Sequence, residues 1–217
     1  MALATYADLQ ESIAGWLNRR DLAARIPDFI RLAEDDINGK LRDRRMHRYV
    51  DALIGDQPVA QPEDWLEAVR LNIQGRHTPL TLTTMDRIQA MRGACRTPYE
   101  VIPADGGAVT GWPEYFAIAG TVIEFHPLPS APVIIDMVYY QKVPRLSDAA
   151  PTNWLLAEDA AIYLYGSLAQ AEPYLKNDER LATWAGLYGD RINGRNAASE
   201  VAQFSGGPLR RVRRGFR

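Results

Sequence analysis

Cysteine is nearly absent: Cys95 stands alone, which excludes an intramolecular disulfide and any cysteine-rich zinc site. Histidine is scarce as well. His47, His77 and His126 lie far apart and never at metal-binding spacing, so no metal or catalytic role is assigned to them. Long hydrophobic runs are missing: nothing approaches the roughly 20 consecutive apolar residues of a membrane span, and no membrane partner is expected. Met1-Ala2-Leu3-Ala4-Thr5 lacks a basic segment followed by an apolar run, so the expectation is a chain without a secretory signal that folds in a cytoplasm.

Reactive-group signatures are missing too. Gly106-Gly107-Ala108-Val109-Thr110-Gly111 has neither the Lys-Ser/Thr of a phosphate loop nor the spacing of a dinucleotide turn, and reads as a surface turn. No Gly-x-Ser-x-Gly elbow occurs. Cys95 has no nucleophile context and reads as a small apolar residue. Carboxylates cluster at Glu34-Asp35-Asp36 and Glu158-Asp159. Acid–base pairs or metal ligands are one reading of them; the preferred one is solvated helix faces and first-turn charges favoured by the helix dipole. The expectation is a protein that is not an enzyme, with no catalytic, cofactor-binding or metal residues and no cofactor.

What the sequence does contain is an asymmetry of charge. Arg210, Arg211, Arg213, Arg214 and Arg217 put five positive charges into the last eight residues. Without them, 20 basic residues face 27 acidic ones, so residues 1–209 carry a net charge of −7. Leu209, Val212 and Phe216 are interleaved with these arginines. A soluble terminus is one reading of this tail. A second is phosphate neutralisation, holding nucleic acid without sequence preference. A third is a protein groove, with arginine forks on carboxylates and apolar residues as anchors, and the three apolar residues favour it over a phosphate backbone.

The first block is helical. Thr5 with Asp8 fits a capping box, and Tyr6, Leu9, Ile13, Trp16 and Leu17 recur on one face. After a break at 18–21, Pro27 suits the first turn of a second helix with Phe29, Ile30, Ala33, Ile37 and Leu41 on one side. Its acidic residues come early, and Lys40, Arg42, Arg44, Arg45 and Arg48 come late, an order that suits the dipole. Gly39 permits a bend. Prolines then recur from Pro58 to Pro144 and exclude long helices. Residues 66–73 lead through Gly75-Arg76 into 80–83 as one hairpin, residues 115–119 and 121–125 around Gly120 form another, and 133–141 is the strongest strand. A short helix over 84–91 turns Met85, Ile88 and Met91 inward. The block reads as a compact, mostly antiparallel β-domain of five or six strands.

Helix returns after Pro151-Thr152-Asn153, with Trp154, Leu155, Ala161, Leu164, Tyr165 and Leu168 as the apolar face and Pro173 as its end or kink. Asn177 or Asp178 caps a last helix carrying Leu181, Trp184, Leu187, Tyr188, Ile192 and Val201, and Ser205-Gly206-Gly207-Pro208 breaks it. Trp16, Trp154, Trp184, Tyr165 and Tyr188 read as core. Of Tyr139 and Tyr140, adjacent in a strand, only one can be. Two short helices bury too little to stand alone. The predicted class is therefore α+β: residues 1–48 and 150–205 form a helical bundle, 49–149 an inserted β-domain, and 206–217 an extended basic tail.

The phrasing of several segments resembles the phage adaptor proteins, also called head–tail connector or head-completion proteins. Thr5-Tyr6-Ala7-Asp8-Leu9-Gln10 with Trp16-Leu17-Asn18-Arg19 resembles their start, as does Ile26-Pro27-Asp28-Phe29-Ile30-Arg31-Leu32-Ala33-Glu34. Gln61-Pro62-Glu63-Asp64-Trp65-Leu66-Glu67 is similar to the segment entering their β-domain. Trp154-Leu155-Leu156, Tyr163-Leu164-Tyr165-Gly166-Ser167-Leu168 and Glu172-Pro173-Tyr174-Leu175 are similar to their C-terminal helices. The resemblance implies a virion structural protein of the neck, assembled as a twelve-fold ring below the portal. Such a ring extends a channel through which DNA passes without specific recognition, and it docks the next neck or tail protein. It also implies that the C-terminal segment, here Leu209, Arg210, Arg211, Val212, Arg213, Arg214, Phe216 and Arg217, reaches the portal protein. The alternative is a nucleic-acid-binding module that uses this tail on DNA.

Overall fold

A computed structural model describes residues 3–19, 21–55, 57–76, 78–92, 110–175 and 178–204. The expectations for Cys95, His77, residues 106–109, the Asn177 cap and the basic tail fall outside these residues. The class is α+β, and the chain divides into two compact units, Met1–Arg44 with Val143–Arg217, and Arg45–Lys142.

Among its described residues the first unit holds four helices, α1 (Tyr6–Leu17), α2 (Ile26–Lys40), α4 (Trp154–Leu175) and α5 (Asp178–Phe204). Thr5 and Asp8 close the capping box: the Asp8 amide donates to Thr5 Oγ1 at 3.2 Å and the Thr5 amide to Asp8 Oδ2 at 3.0 Å. The chain leaves α1 through Asn18 in the left-handed region, φ 51°, which asparagine tolerates. Leu9, Ile13 and Leu17 of α1 and Phe29, Ile30, Ala33 and Ile37 of α2 are buried at helical spacing. Helix α4 packs against α1, α2 and α5. Its irregularity lies at Asp159 (φ −144°, ψ 70°) and not at Pro173, past which the helix runs on to Leu175. Pro173 lacks the N–H that would reach the Ala169 carbonyl, so the ladder loses that bond, and the helix nevertheless continues past it. On α5, Trp184, Tyr188, Ile192 and Ser199 face inward, whereas Leu187 and Val201 are exposed.

Helix α2 stops at Lys40, short of the arginines predicted to form its basic end; Leu41 is already extended. Arg44–Met46 is a single 3-10 turn, and His47–Ile54 is strand β1, which alternation in burial rather than charge order explains. Side chains of α5 hold this departing segment. Asn196 Oδ1 accepts from the Arg42 amide at 2.8 Å, its Nδ2 donates to the Lys40 carbonyl at 3.0 Å, and Ser199 Oγ accepts from the Arg44 amide at 2.7 Å. The Arg195 guanidinium donates twice to Asp43 Oδ2, at 3.0 and 2.7 Å, and once to Glu158 at 2.8 Å.

The returning segment is held by α2. Asn38 Oδ1 accepts from the Val143 amide at 2.8 Å and Glu34 Oε1 from the Leu146 amide at 2.7 Å, one helical turn apart. Glu34 is therefore buried, 4% exposed, and not on the solvated helix face predicted for it. Burial raises its pKa, and the Leu146 amide and Arg145 only partly oppose that shift. A carboxyl raised on folding contributes stability that is complete at low pH and fades as pH rises through the raised value. Glu34→Gln keeps the acceptor and removes the charge. Thermal unfolding between pH 4 and pH 8 should show the variant melting above the parent at pH 8 and level with it at pH 4. A variant less stable at pH 8 would refute the burial argument.

Among its described residues the second unit has seven strands, where five or six were predicted. They are β1, β2 (Val59–Ala60), β3 (Trp65–Ile73), β4 (Thr81–Leu82), β5 (Tyr115–Ala119), β6 (Val122–His126) and β7 (Val133–Gln141), with helix α3 (Met85–Arg92) between β4 and β5. One sheet has the order β1-β7-β3 and the other β2-β6-β5-β4; all pairings are antiparallel except β4 with β5. The β5–β6 hairpin turns at Gly120, φ +60°, as the sequence predicts. The predicted hairpin of 66–73 with 80–83 forms only at its closed end. Asn72 bridges Pro79 and the Leu80 amide reaches the Leu71 carbonyl, and β4 then joins the other sheet. Pro79 has no amide to extend the ladder. Residues of both sheets share one core, among them Ile54, Leu71, Ile135, Met137 and Tyr139 of the first and Phe116, Ile123 and Phe125 of the second. In α3, Ile88 is buried and Met85 and Met91 are half-buried.

Candidate interaction surface

The tail residues singled out from the sequence, Leu209, Arg210, Arg211, Val212, Arg213, Arg214, Phe216 and Arg217, lie outside the described residues. Of the strand tyrosines, Tyr139 is buried and stacks on Trp65 at 4.7 Å between ring centroids, and Tyr140 is half-buried with its ring edge-on to His47. The Tyr139 hydroxyl donates to Asp64, which also takes Arg48; burial first, then that carboxylate, pushes its pKa up to about 12. His126 ends β6 and is buried.

Trp16 departs from its expectation. It is 47% exposed and meets Trp184 edge-on at 5.4 Å, and Tyr165 also stacks on Trp184. Trp184 fills the core position, which leaves Trp16 as its rim. Trp154 is half-buried beside the Arg195 guanidinium. The second acidic cluster is engaged by α5: Glu158 takes Arg195, and Asp159 lies 3.8 Å from Arg191. Among the described residues no group of three or more His, Cys, Asp or Glu could hold a metal ion, and no helix is long and apolar enough to cross a membrane.

A surface missed by the sequence reading lies on the three-stranded sheet. Strand β1 pairs with β7 without interruption over eight residues, His47 opposite Tyr140 through Ile54 opposite Val133. Partners share a face and alternate residues share a face. Val50, Ala52 and Ile54, with Val133, Ile135 and Met137, therefore turn to the core. Tyr49, Asp51 and Leu53, with Ile134 and Asp136, turn away from it. Tyr49 is 73% exposed, Leu53 65% and Ile134 42%. Asp51 and Asp136 stand directly opposite each other, and neither side chain makes an ion pair or hydrogen bond among the described residues. Like charges at directly opposed positions destabilise a sheet. The alternation Tyr49-x-Asp51-x-Leu53 was the available sequence signal; it was masked by the run of arginines before it.

Beside this face lies an open groove of about 640 Å³, walled by Tyr49, Val69, Leu80, Leu82, Phe116 and Val138, with Arg70 and His47 also lining it. Nothing in it converges as reactive groups would. It offers apolar walls and a cation, the composition of a protein contact.

The model of the SU10 adaptor protein family matches residues 4–212. The chain belongs to the SU10 adaptor protein family. This is a phage head–tail adaptor family, so the protein is a phage structural adaptor, and the resemblance read from the N-terminal, β-domain and C-terminal segments is to the right family. No curated protein matches the chain. The match runs through both units and into the basic tail, so neither unit is foreign to the adaptor.

Proposed function

We propose that this adaptor forms a ring, of twelve copies, beneath the portal of the phage head. The ring extends the DNA channel and presents a docking surface to the next neck or tail protein. The single observation that carries the reading is the family match over residues 4–212. Two features support it. A net charge of −7 over residues 1–209 suits a wall along which DNA slides without being held. An exposed apolar sheet face suits contacts that form only on assembly. In this reading the helices of residues 1–48 and 150–205 form the bundle that carries the inserted β-domain, and residues 209–217 dock on the portal. Leu209, Val212 and Phe216 are the anchors, and the arginines set orientation and on-rate.

The test is the mass of the purified protein, alone and mixed with its portal ring, with and without residues 206–217. A ring-sized complex that needs the tail is the expected result. A monomer that ignores the portal, yet binds duplex DNA with steep salt dependence, would replace this reading with the nucleic-acid one.

A further inference from the structure

The outward face of the three-stranded sheet is built as an acceptor for a cationic, apolar chain. Two carboxylates, Asp51 and Asp136, oppose each other across β1 and β7 with no partner among the described residues. Left alone, this arrangement repels itself; a guanidinium set between the two would turn the repulsion into a pair of charge-assisted hydrogen bonds. Tyr49, Leu53 and Ile134 flank the pair along β1 and β7 and are all substantially exposed, while on the β3 side Asn72 stands opposite Asp136 and Arg70 opposite Val138; the groove beside Tyr49 has room for a ring. The sequence itself supplies a segment of matching chemistry. Residues 209–217 carry five arginines separated by Leu209, Val212 and Phe216, and they are the most basic stretch of an otherwise acidic chain.

We infer that this face binds the C-terminal segment 209–217 of another copy of the same protein. An arginine of the segment sits over the Asp51–Asp136 pair, and an apolar residue beside it packs on Tyr49, Leu53 and Ile134. The contact is heterologous, tail of one copy to sheet of the next, so it can propagate from copy to copy. One copy's segment can fill only one of the two places, the portal or a neighbour's sheet, so the contact between copies is tested with the adaptor by itself.

The experiment uses a fluorescein-labelled peptide of residues 205–217, titrated onto the full-length protein and followed by anisotropy without portal or DNA. The parent should bind it. Asp51→Asn with Asp136→Asn should weaken binding at least about tenfold, a change of roughly 1.4 kcal/mol, and flatten its salt dependence. Because the double variant removes a repulsion, it should fold at least as well as the parent. Leu53→Ser leaves the charge of the face unchanged and tests its apolar half; it too should weaken binding. Binding unchanged by both variants, or no binding by the parent up to about millimolar peptide, would overturn the inference. Neither result touches the portal assay, so this inference can fail while the adaptor reading stands.

Discussion

Arg195→Ala should destabilise the helical unit by about 2 kcal/mol, between the cost of an exposed ion pair and that of a fully buried one that loses a partner. Arg195 joins three pieces of chain: its own helix α5, Asp43 on the segment leaving α2, and Glu158 at the start of α4. The Asp43 side chain is 9% exposed and the Arg195 side chain 19%, so water replaces little of what is lost. The two bonds to Asp43 share one carboxylate oxygen, and both come from one planar guanidinium. Lysine keeps the charge but cannot reproduce that fork, so Arg195→Lys should fall between parent and alanine variant. Urea unfolding measures both. A loss below about 1 kcal/mol for the alanine variant, the range of an exposed pair, would show that the site is solvated and the argument wrong.

A comparable loss should follow Gly166→Leu. Gly166 sits where α4 meets two neighbours: a Cβ placed there would lie 3.2 Å from Tyr188 Cε2 and 3.3 Å from Ala33 Cβ. Those contacts are tight but not impossible for one methyl group. Alanine also favours helix over glycine by roughly 1 kcal/mol, so Gly166→Ala should be close to neutral. Leucine adds three more carbons with nowhere to go. Overpacking of this kind costs up to about 3 kcal/mol, because α2 and α5 must both move away from α4. Thermal melts of the two variants separate the effects: a small shift for alanine and a large fall for leucine. Equal melting for both would mean that the interface opens freely.

Local signals in the sequence translated well into local structure. The Thr5–Asp8 box, Pro27 at the start of α2, the Gly120 hairpin and the strand Val133–Gln141 stand where their chemistry put them. What went astray depended on partners distant in sequence. Arg42 to Arg48 suited the end of a helix by charge order, but Asn196 and Ser199, about 155 positions later, bind that backbone in another shape. Glu34 looked like a surface acid because nothing nearby announces that the Leu146 amide needs an acceptor. Trp16 had the spacing of a core residue, yet Trp184 occupies that place. The candidate surface suffered most. Its two aspartates lie 85 positions apart and become neighbours only through the β1–β7 register. The basic tail, by contrast, is legible in the sequence alone.

The order of the two units along the chain also bears on synthesis. Arg45–Lys142 is one continuous stretch, whereas the helical unit takes its first part before that stretch and its second part after it. On a ribosome adding roughly 5–20 residues per second, the β unit is complete several seconds before α5 emerges. During that interval α1 and α2 have no α4 to cover Phe29, Ile30, Ala33 and Ile37. The newborn chain therefore carries a completed β stretch behind a pair of helices whose apolar face is still uncovered.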